Sequence, residues 1–148
     1  MPAAIVSAID VSGEALKIAE ENSKQNSTRI NFMQMDFLDE STWDLLPQYN
    51  VIISNPPYIS KKEEKTLAKN VRDYEPHLAL FVPDKDPLLF YSKIAAFGRS
   101  HLNSNGQIYL EVHEDLATEA RSLFQKHYSS AEIKKDMFGR ERMLIIAI

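Results

Sequence analysis

Apolar residues along this chain switch between a period of two and a period of three to four, and the switches outline the fold. Residues 5–10, Ile-Val-Ser-Ala-Ile-Asp, form a short apolar run ending on a carboxylate, the pattern of a buried strand. Ser12 then offers a capping hydroxyl, and Glu14 falls where a first helical turn favours negative charge. Residues 13–25 carry Ala15, Leu16, Ile18 and Ala19 as the apolar side of a predicted amphipathic helix. Residues 30–36 and 50–54 read as the next two strands. Residues 86–102 read as a helix with Phe90, Ile94 and Phe97 on one side. Asn105-Gly106 marks a turn, and residues 107–113 a fourth strand. Residues 114–127 form a clear amphipathic pattern, with Leu116, Ala120, Leu123, Phe124 and His127 on one stripe. Residues 131–135 and 142–148 close the chain as a hairpin across Phe138-Gly139-Arg140.

Strands alternating with helices predict an α/β fold with a parallel-rich sheet and covering helices. The last two strands have no room for a crossover helix, so they must run antiparallel. The length of 148 residues fits one domain spanning residues 1–148, large enough for a real core. An apolar share of 44% beside 26% charged residues places the chain among soluble globular proteins. No apolar run approaches a membrane span, and the first residues lack the pattern of a secretory signal. The absence of cysteine excludes disulfides and thiolate metal sites and agrees with a cytoplasmic setting. The formal charge of −4 guarantees no basic face, which counts against nucleic acid as the direct substrate. The four histidines, His77, His101, His113 and His127, show no metal-ligand spacing, so no metal is expected.

The chemistry concentrates in Asn55-Pro56-Pro57-Tyr58, directly after the apolar run at 51–54. Proline donates no backbone hydrogen bond and fixes its own φ. It also holds the preceding residue extended. The strand must therefore stop, and a stiff tetrapeptide projects from its carboxyl end, the edge where open α/β sheets bind ligands. Asp10 is predicted at the end of another strand, where a carboxylate can accept from two hydroxyls at once. An aspartate simply closing a strand-to-helix turn is the plain alternative. Asp36 ends the second predicted strand, and Phe37, which follows it, reads equally well as a core aromatic.

Asn-Pro-Pro-Tyr resembles the active-site motif of S-adenosylmethionine-dependent amino-methyltransferases. Further blocks resemble the HemK/PrmC family of protein-glutamine methyltransferases. They are Ala8 to Ser12 with Glu14-Ala15-Leu16, Asp36-Phe37, Asn55 to Ile59, Val71-Arg72-Asp73-Tyr74-Glu75-Pro76 with Ala79-Leu80, Phe90-Tyr91, Gly106 before Glu111, and Asp136 to Arg142. Together they cover almost the whole chain. The resemblance implies the class I methyltransferase fold, Rossmann-like, mostly parallel with an antiparallel C-terminal strand. It implies S-adenosylmethionine as methyl donor, S-adenosylhomocysteine as product, and the Gly-Gly-Gln glutamine of a peptide chain release factor as acceptor. Asp10 would then bind the ribose hydroxyls, with Asp36 or Phe37 at the adenine and Asn55 shared between donor and acceptor. The family also has a first strand and a Gly-rich loop before the block that holds Asp10. Only nine residues precede Asp10 here, none of them glycine. Impaired cofactor binding is therefore expected, and so is self-association through an exposed sheet edge.

A carboxamide nitrogen is a poor nucleophile, because its lone pair is delocalised into the carbonyl. Asn55, through its side-chain oxygen, and Pro56, through its carbonyl, can accept hydrogen bonds from the amide protons and leave the lone pair aimed at the methyl. Pro57 stiffens this platform, and Tyr58 would pack its ring on the planar amide. Glu75-Pro76 is a candidate for shaping the substrate side, and Glu111 ends a strand where it can sit near the pocket, with solvated carboxylates as the plain alternative for both. The Asp136–Arg142 segment reads by default as a hairpin turn with a structural Gly139. Two rivals stand beside this reading. One is an adenine or guanine amino-methyltransferase acting on nucleic acid, with Tyr58 stacked on a flipped base. The other is an inactive unit that no longer binds cofactor.

Overall fold

The computed structural model describes residues 4–66, 69 and 76–148. The chain divides into two compact units, Met1–Leu46 and Pro47–Ile148.

The first unit is a βαβ element. Strand β1 (Val6–Asp10) leads through helix α1 (Gly13–Gln25) to strand β2 (Ile30–Gln34), and a 3-10 helix, Glu40–Leu45, ends the unit. β1 and β2 pair in parallel, with Val6 opposite Ile30 and Asp10 opposite Gln34. The Ser12 hydroxyl caps α1 by accepting the Ala15 N–H at 3.2 Å. Leu16 and Ser23 are the buried residues of this helix. Ile18 is 61% exposed and Ala15 is exposed, contrary to the predicted apolar side. The reason is angular: at 100° per residue, Leu16, Ala19 and Ser23 share one face, and Ile18 falls almost opposite. Ser23 closes the far end of α1, donating to the Thr28 carbonyl at 2.9 Å.

The second unit is built on a four-stranded sheet in the order β3-β6-β8-β7. Its strands are β3 (Tyr49–Ser54), β6 (Leu102–Glu111), β7 (Ser130–Lys135) and β8 (Glu141–Ala147). β3 and β6 run parallel, and β8 runs antiparallel to both of its neighbours. Two strands between β3 and β6, β4 (Ile59–Ser60) and β5 (Phe81–Val82), form a small parallel pair of their own. The helical turn α2 (His77–Leu80) leads directly into β5. Helices α3 (Leu89–His101) and α4 (Ala117–Phe124) cover one face of the larger sheet and touch each other.

That covered face is the core. Ile108, Ile146 and Ala131 lie level across three strands, with Leu110 and Leu144 level one pleat on, and all five are buried. Burying each large aliphatic side chain contributes about 1.5–3 kcal/mol. From above, Tyr91, Ile94 and Phe97 of α3 and Ala120 and Phe124 of α4 fill the layer. Gly98 is required by close approach: a Cβ there would collide with the Tyr128 hydroxyl and with Ile108 Cδ1. The Tyr128 hydroxyl donates to the Ala95 carbonyl at 2.8 Å, and burial pushes its phenol up to about 12. The opposite face is open, with Val51 49% and Ile53 78% exposed.

Several sequence expectations need correction here. Helix α3 starts at Leu89, not at residue 86, because Asp86 N–H closes a turn onto Pro83. The inward position predicted for His127 belongs to Tyr128, which stands four residues after Phe124 and donates its N–H to that residue's carbonyl. Asn105-Gly106 is not a turn between elements. It lies inside β6, where the pairing register slips between Tyr49 and Val51 and lets the extra residues bulge. The final hairpin forms as predicted, with Gly139 at φ 82° in the left-handed region its turn requires.

Candidate functional site

The parallel register of β3 and β6 sets Ser54 beside Leu110, so the two strands reach their carboxyl ends together. Asn55 to Tyr58 leave one strand at that edge, and Glu111 ends the other. Asn55 is exposed, Pro56 is buried, and Pro57 and Tyr58 are half-buried. A buried residue without an N–H leaves no donor unsatisfied, which suits Pro56 to its place. Its immobile backbone carries the exposed Asn55 beside it.

Tyr58 is held from two sides. Its hydroxyl donates to Glu111 Oε1 at 2.8 Å. Its ring lies 5.6 Å from the His113 ring, tilted by 57°. His113 is fixed in turn: Nδ1 accepts the Asp115 N–H at 3.2 Å, and Nε2 lies 3.8 Å from Glu63 Oε2. Glu63 also accepts the Ser60 N–H at 3.3 Å. On the small β4–β5 sheet, the Ser60 hydroxyl donates to Asp84 at 2.6 Å and holds that carboxyl below its usual range. Beneath Glu111, the wholly buried Tyr91 points its hydroxyl at the Glu111 carbonyl, 3.4 Å away. Burial pushes the Tyr91 phenol far up, so it stays protonated as a donor. A concavity of about 600 Å³ on the open face of the sheet is lined by Ile53, Asn55, Tyr109, Glu111, Arg142 and Met143, among others.

In the first unit, Asp10 ends β1 as predicted and is exposed. Its Oδ1 accepts the Ser12 N–H at 2.8 Å, and its carbonyl accepts the Met35 N–H. Asp36 does not end a strand, because β2 stops at Gln34. It opens a turn instead, with Oδ1 accepting the Leu38 N–H at 2.9 Å. Phe37 is stacked on Trp43 at 5.4 Å, and its carbonyl accepts the Trp43 indole N–H. Asp136 turns the final hairpin by accepting the Phe138 and Arg140 N–H groups, and the Arg140 bond above all lowers its pKa. The Glu75 candidate, with residues 71–74 of its block, lies outside the described residues. Sequence reasoning put Glu111 at a strand end near the pocket but did not pair it with Tyr58, and it weighed His113 only as a metal ligand. The available signal for Glu111 was its position at the end of a strand parallel to β3.

The fold built this way, strands with covering helices and an antiparallel strand inserted near one end, is the class I methyltransferase fold. A methyltransferase from Pyrococcus furiosus superposes with a TM-score of 0.66 at 20% identity, covering 97% of this chain and 62% of that one. The protein SMU.1697c from Streptococcus mutans, in complex with SAH, gives 0.63 at 14% identity, over 97% of this chain and 75% of the other. The sequence profile of the methyltransferase small domain matches residues 1–75, and the chain belongs to that family. Among curated relatives it is similar to the release factor glutamine methyltransferase of Flavobacterium psychrophilum, 43% identical over 97% of this chain. The chain spans about half the length of that relative, 50%. The HemK/PrmC resemblance carried by the sequence blocks is thereby borne out. Among the described residues, no helix is long and apolar enough to cross a membrane.

Proposed function

We propose that this chain carries the acceptor platform of an S-adenosylmethionine-dependent methyltransferase acting on the side-chain amide nitrogen of a release-factor glutamine. The observation that carries the reading is the platform: an exposed Asn55 beside a buried Pro56, followed by a Tyr58 whose hydroxyl is tied to Glu111. The similarity to release factor glutamine methyltransferases supports the choice of acceptor. S-adenosylmethionine supplies the methyl group when bound. The donor set suits it, since Asp10 is an exposed carboxylate at a strand end with Oδ1 engaged by its own turn. In this reading Asp10 accepts from the ribose hydroxyls, and Asp36 or the Phe37 backbone meets the adenine edge.

The chain's own residues supply orientation. Asn55 Oδ1 and the Pro56 carbonyl accept from the two amide protons, which turns the nitrogen lone pair toward the donor. Tyr58 lies against the amide plane and limits its rotation. Transfer leaves a cationic nitrogen that loses one proton to solvent, and the electron pair freed from that N–H bond then delocalises into the carbonyl again. We assign both compact units to one methyltransferase domain acting in the cytoplasm. Among the described residues β3 pairs only with β6, and its second edge, unpaired by any described strand, is offered to a second copy, which light scattering would detect as a dimer.

The test offers this chain and its F. psychrophilum relative, with S-adenosylmethionine, a release factor and an adenine-rich DNA. Mass spectrometry then locates any added methyl. Methyl on the Gly-Gly-Gln glutamine is the expected result. Methyl on adenine alone would move the assignment to the nucleic-acid enzymes. A silent chain beside an active relative would overturn the reading for this chain.

A further inference from the structure

We infer that Glu111 is a positioning residue, whose carboxylate sets the orientation of Tyr58 and through it the pose of the acceptor. The inference rests on the reading of Asn55 to Tyr58 as the acceptor platform. Glu111 Oε1 accepts the Tyr58 hydroxyl at 2.8 Å, across 53 residues of sequence. A charge-assisted hydrogen bond of this kind is about twice as strong as a neutral one and is directional. The carboxylate is itself placed: Glu111 is the last residue of β6, locked in register with Met143 of β8, and its carbonyl faces the buried Tyr91 hydroxyl. The next residue, Val112, is fully buried and donates its N–H to the Arg142 carbonyl at 2.9 Å. Glu111 therefore sits on the rigid sheet, whereas Tyr58 sits on the loop leaving it.

The second contact on Tyr58 acts in another direction. The His113 ring lies beside the Tyr58 ring, centroids 5.6 Å apart and tilted by 57°, while Glu111 holds the tyrosine's hydroxyl tip. A ring contact alone leaves the hydroxyl end of a phenol free to shift. A tip contact alone lets it swing about the hydroxyl. Together they define one pose. An aromatic ring meant to bear on a planar amide needs this, because misplacement by about 1 Å can cost on the order of a hundredfold in rate. Glu111 does not touch the acceptor amide in this arrangement. It acts through Tyr58, and it lines the concavity that also includes Asn55.

Three variants and two readouts test this. The variants are Glu111→Gln, which keeps an acceptor oxygen, Glu111→Ala, which removes it, and Tyr58→Phe, which removes the donor. The first readout is the ring resonance of Tyr58 in carbon-13 tyrosine-labelled protein, assigned by its loss in Tyr58→Phe. It should shift toward the value of a freely rotating tyrosine in Glu111→Ala and stay near wild type in Glu111→Gln. An unmoved resonance in Glu111→Ala would overturn the inference, whether or not the chain is active. The second readout is methyl transfer to whichever acceptor the protein uses, in this chain or in the relative carrying the matching substitutions. Glu111→Ala should lower kcat by roughly tenfold with KM for S-adenosylmethionine unchanged, and Glu111→Gln should restore most of it. In the Tyr58→Phe background, Glu111→Ala should cost nothing further. A full additional loss there would show that Glu111 acts directly, against the inference. Failure of the glutamine reading would appear separately, as a different methylated product.

Discussion

The strand-to-helix turn of the first unit and the platform of the second both hold a side chain at the end of a strand, by opposite means. Asp10 is held by its own neighbour, since its Oδ1 accepts an N–H only two residues on. Asp36, Asp39 and Asp136 repeat that arrangement in other turns. Tyr58 is held by Glu111 and His113, both on or just beyond a strand far along the chain. A local turn is specified wherever its few residues occur. The platform exists only where the sheet is complete. The turn should therefore tolerate distant substitutions that the platform does not.

Four measurements would break or sharpen this contrast. Asn55→Ala should have the largest effect, lowering methyl transfer by about a hundredfold while circular dichroism stays unchanged; a loss below threefold would remove Asn55 from the chemistry. Asp10→Ala should weaken binding of S-adenosylhomocysteine by about tenfold, measured by isothermal titration, because hydrogen bonds to a charged group are worth about 1.5–3 kcal/mol. An equal affinity in both proteins would leave Asp10 with only its turn. Ser12→Ala removes the cap of α1 and should cost about 1 kcal/mol in urea unfolding, with Tyr58 undisturbed.

The smallest effect concerns pH. The Asp136 carboxyl is lowered from 3.8 by the backbone bonds it accepts, that of Arg140 foremost. Its folded value lies below its unfolded value, so its contribution is complete above about 3.8 and is lost as pH falls through the lowered value. The stability difference between wild type and Asp136→Ala should therefore narrow as the solution is acidified below that point. A constant difference would mean that the turn does not depend on the charge.

The same contrast explains what the sequence disclosed. The bounds of α1, its Ser12 cap and the Gly139 hairpin depend on residues a few positions apart, and they were legible. So was the abrupt end of β3, because two prolines permit nothing else. The Tyr58–Glu111 bond was not legible, since nothing around either residue names the other. The β4–β5 pair was missed because two-residue strands are too short for any period to register. Ile18 was misplaced because an apolar residue within a helix need not share the face of its neighbours. Asn105-Gly106 misled because turn chemistry also serves a bulge.

The span between Tyr58 and Glu111 also sets a schedule for synthesis. A chain leaving the ribosome exposes Asn55 to Tyr58 well before residue 111 has been joined. The parallel β3–β6 pairing cannot start until its crossover has emerged, and loop closure must precede any gain from that contact. The platform is thus expected to form late in folding, after the βαβ turn. A nascent or partly opened chain would hold the complete tetrapeptide and still lack the Tyr58–Glu111 bond.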